Sequence, residues 1–592
     1  MILVWCYPPA HGWASVADSW RRIARAVAAV EGREREDWQA RFYTALERFR
    51  FLPGGRIQAG AGTAHKVTLF NCFVMGIIDD SMDGIFEALK EGALTMQQGG
   101  GVGYDFSTLR PRGTRAYSVG SVASGPVSFM RIWDSMCATI LSTGARRGAM
   151  MGTLRCDHPD IEEFIAAKQD KIQLRHFNIS VLVSDAFMEA VRDDRDWPLL
   201  FPADEHGAVG ETMTCGWPGR SDPVVCEVHR RVRARALWEN IMRATYDYAE
   251  PGVLFIDRIN QLNNLYYRET IGATNPCGEV PLPPYGACNL GSVNLTQFVN
   301  NPFARHAHLD LRGIEETARA AVRFLDNVID ATRFPLRAQE QQARGSRRIG
   351  LGFTGLADAL LMLGVRYGSE ESMELARTVM RAVCHSAYRA SVAIAEEKGA
   401  FPFFDKDKYL DGVFVRSLPA DIRDAIARCG IRNSHLTAIA PTGTISLLAN
   451  NVSSGLEPVF DSEFSRNVLE FDGSYAEYRV VDYAVALWRG GNGAKTASLP
   501  PAFIDARHLA PVVHLDMQAA IQPYVDQAIS KTINVPADYD FAAFRELYRF
   551  AFDKGLKGCT TFRPNPVTGE VLRGVAPAET ASHCCDMERE AD

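Results

Sequence analysis

The chain lacks any apolar run long enough to cross a membrane, and it has no early charged-then-apolar stretch ending in a cleavage site. Neither a membrane protein nor a secreted precursor is expected, and the expected setting is the cytoplasm. It lacks an excess of positive charge. With a formal net charge of −7, no global field invites a nucleic-acid polymer, so any nucleotide must be held by local loops. It lacks a Cys-x-x-Cys pair, and its 13 cysteines are odd in number and mostly isolated, which argues against structural zinc. In a reducing compartment most are expected to be thiols, with any disulfide transient and catalytic. Cys6, Cys137, Cys156, Cys215, Cys226, Cys384 and Cys429 are read as structural. His158 has no second His or Cys at ligand spacing and is read the same way, so no metal site is expected. The glycine-rich residues 97–105 lack the third glycine and the strand–turn–helix setting of a dinucleotide fingerprint.

What is present is ordinary for a large globular protein: 592 residues, 47% hydrophobic and 23% charged. Apolar residues recur at helical spacing over 13–50, which predicts a helical N-terminal region at 1–52. Residues 53–72 turn from a glycine-rich loop into an apolar strand-like run. Beyond them, strand-like runs alternate with helical patterns, including 127–140, 234–262 (ending near Pro251-Gly252), 311–332 and 371–398. That alternation predicts an α/β arrangement with parallel strands. Residues 200–225, polar and with Gly and Pro, read as a hairpin or surface insertion. Asp79, Asp80 and Asp83 open a helix, as the macrodipole favours. The end of the chain, 571–592, is polar and carries the adjacent pair Cys584-Cys585.

The densest chemistry lies in residues 274–295. Asn275, Cys277 and Glu279 alternate, so an extended backbone would place amide, thiol and carboxyl on one face. Four prolines within 276–284 exclude a helix, and Pro276 with Gly278 favours a tight irregular loop over a paired strand. A carboxylate and an amide can hold two hydroxyls while sulfur reacts. A second thiol, Cys288, follows. The other strong stretch is 432–449, where an apolar strand runs into Pro441-Thr442-Gly443-Thr444-Ile445 and then a helix. Free amides and hydroxyls at a helix start suit an anion, although the lysine of a Walker loop is missing.

Asn-Pro-Cys-Gly-Glu at 275–279, followed by Pro-Leu-Pro-Pro-Tyr-Gly-Ala-Cys-Asn-Leu-Gly-Ser-Val-Asn-Leu at 281–295, closely resembles the catalytic finger loop of ribonucleotide reductases, nearest to the adenosylcobalamin-dependent class II enzymes. The resemblance covers about residues 50–566. It implies a ten-stranded α/β barrel of two five-stranded parallel halves within 53–570, with the finger loop through its centre and a cysteine-bearing tail at 571–592. It implies a thiyl radical on Cys277, generated by cobalt–carbon homolysis in adenosylcobalamin, that takes the ribose 3′-hydrogen. Glu279 would then be the general base and Asn275 the residue that orients a ribose hydroxyl. Cys72 and Cys288 would form the redox pair, with Asn71 and 441–445 (Pro441, Thr442, Gly443, Thr444, Ile445) on the substrate.

An effector segment at about 79–150 is also implied, with Asp80 on the ribose, Arg110 near the phosphates, and Arg146 and Arg147 on a specificity loop. The partners implied are ribonucleoside di- or triphosphates, a dNTP or ATP effector, a thioredoxin-like or dithiol reductant and a second copy of the chain. Cys584 and Cys585 match the tail thiols of the family, although adjacent cysteines make a strained disulfide. No paired tyrosines of a class I radical relay and no class III glycyl-radical motif are present, and no activity-controlling ATP-cone is expected before the barrel. Two other readings stand beside this one: a class I-like catalytic subunit needing a separate radical-generating subunit, and a non-catalytic nucleotide-binding regulator.

Overall fold

The structure is a computed structural model that describes residues 15–116, 121–140, 148–169, 173–203, 207, 210–469, 475–491, 498–564 and 573–574. Among the described residues no helix is long and apolar enough to cross a membrane.

The N-terminal helical pattern resolves into α1 (Val16–Ala28), capped by the Ser15 hydroxyl accepting from Asp18 N, and α2 (Arg35–Leu46). Ile23, Ala24 and Val27 of α1 and Phe42 and Leu46 of α2 are buried. Phe42 meets Phe324 edge-to-face, with ring centroids 5.2 Å apart. At the same contact the buried Glu31 accepts from Arg323 at 2.7 Å and from Lys398 at 3.0 Å. Burial alone would raise the Glu31 carboxyl, but its bonds from Arg323, Asn327 and Lys398 hold it down to about 2.

The sheet begins with five parallel strands: β1 (Cys72–Val74), β2 (Gly101–Asp105), β3 (Met150–Arg155), β4 (Phe177–Val183) and β5 (Gly252–Phe255). The sequence reading ran one helical pattern through 234–262. Instead the helix stops at Tyr248, and Gly252–Phe255 is β5. Pro251 and Gly252 break the helix, and a four-residue apolar run has the length of a strand.

The second half starts with β6 (Ala287–Asn294) and β7 (Ile349–Thr354), which pair in parallel. It ends with β8 (Thr532–Asn534) and β9 (Gly558–Phe562), also parallel. Between them two single bridges carry the hydrogen bonding onward, Leu351 to Thr437 and Ile439 to Ile529, both parallel. Ile529 leads directly into β8, so the residues around 437–439 supply the missing fifth position. The halves meet antiparallel at both seams, β1 on β6 and β5 on β9. The ladder thus returns to its start, which is the two-halved α/β ring expected from the family resemblance. Strands such as β4 and β7 are buried almost throughout, as parallel strands covered by helices must be.

Residues 196–233 form the expected insertion, a three-stranded antiparallel sheet of Asp196–Pro202, Thr212–Cys215 and Val224–Arg233. Here Cys215 and Cys226 are joined as a disulfide. Both were expected to be thiols. The hairpin brings their Cα atoms to 6.7 Å, within reach of a bond that chain spacing did not reveal.

Candidate active site

The finger loop rises on a two-residue ladder, Ala273–Thr274 against Pro281–Leu282. Its tip is closed by its own amide. Asn275 Oδ1 accepts from Val280 N at 3.0 Å, and Asn275 N donates to Val280 O at 3.2 Å. Gly278 takes the left-handed φ of +83° that this turn requires. The tip touches both halves of the ring. Asn178 Nδ2 on β4 donates to Pro276 O at 2.9 Å, and Ala528 N on the opposite side donates to Glu279 O at 3.0 Å. The glycines of β2 leave room for it, since a Cβ on Gly103 would lie 1.9 Å from Thr274 O. The run at 97–105 is thus a channel for the finger, in keeping with its failure as a dinucleotide motif.

Asn275, Cys277 and Glu279 gather with the two other thiols. Cys72 and Cys288 are direct partners across the β1–β6 seam. Asn275 Nδ2 donates to Cys72 Sγ at 3.3 Å, and Cys72 Sγ donates to Glu279 Oε1 at 3.9 Å. Burial, followed by the nearby Glu279 and the other two thiols, pushes the Cys72 thiol well above its ordinary range. Burial likewise raises Cys288. Both therefore remain protonated at neutral pH. Cys277 differs, being only half-buried and lying in the wall of a cavity of about 770 Å³.

The loop at 441–445 lies at the same cavity. Pro441 and Gly443 line it, and the short helix Gly443–Leu448 begins there. Thr442 has left-handed φ (57°), and its hydroxyl is committed to the scaffold. It accepts from Gly455 N at 2.7 Å and lies 2.9 Å from Thr354 Oγ1. Ile445 is buried in a small cluster with Leu52, Ala449 and Val452, and Thr444 is half-exposed. Asn71, beside Cys72, is buried, with its Oδ1 2.7 Å from where a Cβ on Gly54 would sit.

At the effector segment the structure pairs Asp80 with Arg110 directly. Arg110 Nε donates to Asp80 Oδ2 at 2.7 Å, and Arg110 N donates to Asp80 Oδ1 at 3.1 Å. Ser81 then caps α3 (Met82–Gln97). Arg146, Arg147, Cys584 and Cys585 lie outside the described residues. His158 is buried in a structural role, with Nε2 3.0 Å from Leu109 O and Nδ1 accepting from Asp160 N.

Several cavity residues escaped the sequence reading. Asn178 and Ser180 share one face of the otherwise apolar β4, and that polar pair at i, i+2 was a usable signal. Gln518 and Gln522 line the cavity with buried side-chain oxygens that have no hydrogen-bond partner among the described residues. Lys557, also lining it, donates to Asp526 O at 2.6 Å and to Gln527 O. Burial pulls this ammonium down to about 7 in spite of the nearby Asp526.

A family model described as "Ribonucleotide reductase, barrel domain" matches residues 70–562, and one described as "Ribonucleotide reductase, all-alpha domain" matches 13–66. The chain is 39% identical over 590 residues to a vitamin B12-dependent ribonucleoside-diphosphate reductase of Mycobacterium tuberculosis, covering 96% of this chain and 78% of that one. It is 36% identical over 553 residues to a protein of the same name in Thermoplasma acidophilum, covering 90% and 66% respectively. Identity falls to 25% against the ribonucleoside-diphosphate reductase subunit alpha of Chlamydia pneumoniae, covering 93% and 57%. With a thiol, a carboxyl and an amide on a finger inside a ring of two parallel halves, two further thiols facing each other at the seam beside it, and these matches spanning nearly all of the chain, the chain belongs to the ribonucleotide reductase family.

Proposed function

We propose that the chain reduces ribonucleotides to 2′-deoxyribonucleotides with adenosylcobalamin as its radical source. The observation that carries this reading is the arrangement of the thiols. Cys277 faces the cavity, while Cys72 and Cys288 lie opposite each other behind it, with Glu279 and Asn275 bonded to Cys72. The relatives from Mycobacterium and Thermoplasma, named as vitamin B12-dependent and as acting on ribonucleoside diphosphates, support both the cofactor and the diphosphate level.

The cavity suits a bulky group with an amide periphery. The Gln518 and Gln522 oxygens are buried acceptors in need of donors, and Ser180 adds a hydroxyl. These residues would hold the cobalamin. When bound, that group supplies a homolytic cobalt–carbon bond, the oxidant that leaves a thiyl on Cys277. The chain's residues do the rest. The Cys277 thiyl takes the ribose 3′-hydrogen, because S–H and activated C–H bonds are similar in strength. Glu279 takes the 3′-hydroxyl proton. Asn275 orients a ribose hydroxyl. The 2′-hydroxyl leaves as water with a proton from one thiol of the Cys72/Cys288 pair, and the hydrogen of the other thiol goes to C2′. That pair gives up two electrons and becomes a disulfide, the Cys277 hydrogen returns to C3′, and an external dithiol restores the pair. The raised thiols suit this role, since they carry their protons until the leaving hydroxyl needs one.

The effector reading rests on Asp80, Arg110 and the segment around them, with a dNTP or ATP as ligand. A homodimer fits the same region. Ile77, Met82, Phe86, Leu94, Val122 and Ile132 are large exposed apolar residues clustered along 77–132.

The test is deoxynucleotide formation from each ribonucleoside di- and triphosphate with dithiothreitol, with and without adenosylcobalamin. Cobalamin-dependent product from diphosphates is expected. Cys277→Ser should still bind nucleotide yet turn over at less than about one-thousandth of the parent rate, since the step has no bypass. Appreciable activity in that variant would sink the assignment.

A further inference from the structure

The finger loop is followed by a turn, Pro283-Pro284-Tyr285-Gly286, that leads directly into β6 and Cys288. Tyr285 holds a left-handed φ of 60°, a conformation that is strained for a non-glycine residue and persists only when the surroundings enforce it. Two contacts do so here. The ring lies over Gly76, where a Cβ would come within 2.4 Å of its Cζ and OH. The phenol donates to Glu91 at 3.0 Å (Oε2) and 3.3 Å (Oε1). Burial, with Glu91 beside it, lifts the phenol to about 12, so it remains the donor across the neutral range.

Each partner of Tyr285 lies on the path from the effector segment. Gly76 lies between Cys72 on β1 and Asp80. Glu91 lies on α3, the helix that Ser81 caps directly after Asp80, roughly 15 Å along its axis. On the other side Gly286 O accepts from Val74 N at 2.9 Å, and two residues later Cys288 faces Cys72. The turn is thus bonded to the helix of the proposed effector segment at one end and to the redox seam at the other.

We propose that Tyr285 and Glu91 form a latch through which occupancy of the effector segment is passed to the strand carrying Cys288. Tyr285 is a positioning residue. A displacement of α3 moves Glu91, the phenol follows it, and the turn resets the register of Cys288 against Cys72 and of the finger above it. The latch rests on the effector reading given above.

The test uses the full chain with adenosylcobalamin and dithiothreitol, the deoxynucleoside triphosphates as effectors, turnover with and without each effector, and effector affinity by equilibrium dialysis. Tyr285→Phe keeps the ring over Gly76 and removes only the donor. Effector affinity should remain within about twofold of the parent, while the effector-induced gain in turnover shrinks about fivefold or more, the lower end of ordinary coupling between sites. Glu91→Leu should behave likewise. Glu91→Gln, which still accepts from the phenol, should restore most of the gain, and the Tyr285→Phe/Glu91→Leu double variant should be no worse than either single change. Glu91 is half-exposed on α3, so its variants keep the question open to test if Tyr285→Phe folds poorly. A parent-like gain in both Tyr285→Phe and Glu91→Leu overturns the latch. No effector gain in the parent overturns the effector reading itself, a separate result.

Discussion

Among the described residues, two pairs of cysteines sit across antiparallel strand pairs, one open and one joined. Cys72 and Cys288 face each other at the seam of the ring, 216 residues apart in the chain, and both are thiols. Cys215 and Cys226 lie in the inserted hairpin, 11 residues apart, and are bonded. Cys277 and Cys288 also stand 11 apart, yet they do not pair. Spacing therefore decides nothing about which thiols react. Surroundings do. The seam pair is sealed beneath a carboxyl and an amide, with burial and Glu279 holding Cys72 protonated. The hairpin pair packs with Trp217, Leu200 and Val224, with neither a side-chain carboxylate nor a side-chain amide bonded to its sulfurs among the described residues. On the proposed mechanism one pair is used and reset, while the other staples a short loop.

The largest effect that could break this contrast is on turnover. Cys72→Ser or Cys288→Ser should lower multiple turnover with dithiothreitol by about a thousandfold or more, because either change removes half of the two-electron donor. A single variant that turns over repeatedly at parent rate would remove that residue from the pair. In contrast, Cys215→Ser and Cys226→Ser should leave turnover within about twofold and lower stability by at most about 3 kcal/mol, the loop-closure value for a ring this short. Denaturation of parent and variant under non-reducing conditions measures it. If a hairpin variant stops turnover instead, the roles of the two pairs must be exchanged.

Much of the site could be read from the chain because its chemistry is local. Asn275, Cys277 and Glu279 alternate on one turn, so their convergence needed no tertiary information, and Pro276 and Gly278 already spelled a closed loop. Cys72 came from the family pattern, because nothing in Asn-Cys-Phe-Val distinguishes it from a buried strand thiol. The closure of the ring was less legible. Its link through Thr437 and Ile439 is made of single bridges, and β8 is three residues long. Strand patterns that short carry little periodicity. The Cys215–Cys226 bond was illegible for a different reason: pairing depends on the hairpin register, which a polar loop does not specify. The Tyr285–Glu91 contact joins residues 194 apart, a distance at which no sequence pattern reaches.

The smallest effect sharpens the contrast through pH. An ordinary thiol ionises near 9, and both Cys72 and Cys288 are held above that by burial. Below pH 9 each is protonated whether the chain is folded or unfolded, so neither adds a pH dependence. Above pH 9 the unfolded chain gives up these protons and the folded chain retains them. The unfolded state then binds fewer protons, and stability falls as pH rises, by up to about 1.4 kcal/mol per pH unit for each thiol. Other buried thiols, such as Cys156 at about 12, add slopes of their own, so the informative quantity is a difference between chains. The Cys72→Ser/Cys288→Ser double variant should lose thermal midpoint less steeply than the parent between pH 9 and about 10.5. The Cys215→Ser/Cys226→Ser variant should follow the parent slope, because a disulfide has no proton to lose. Equal slopes in the parent and the seam variant would mean that those two thiols ionise normally in the folded chain and that burial does not hold their protons above pH 9.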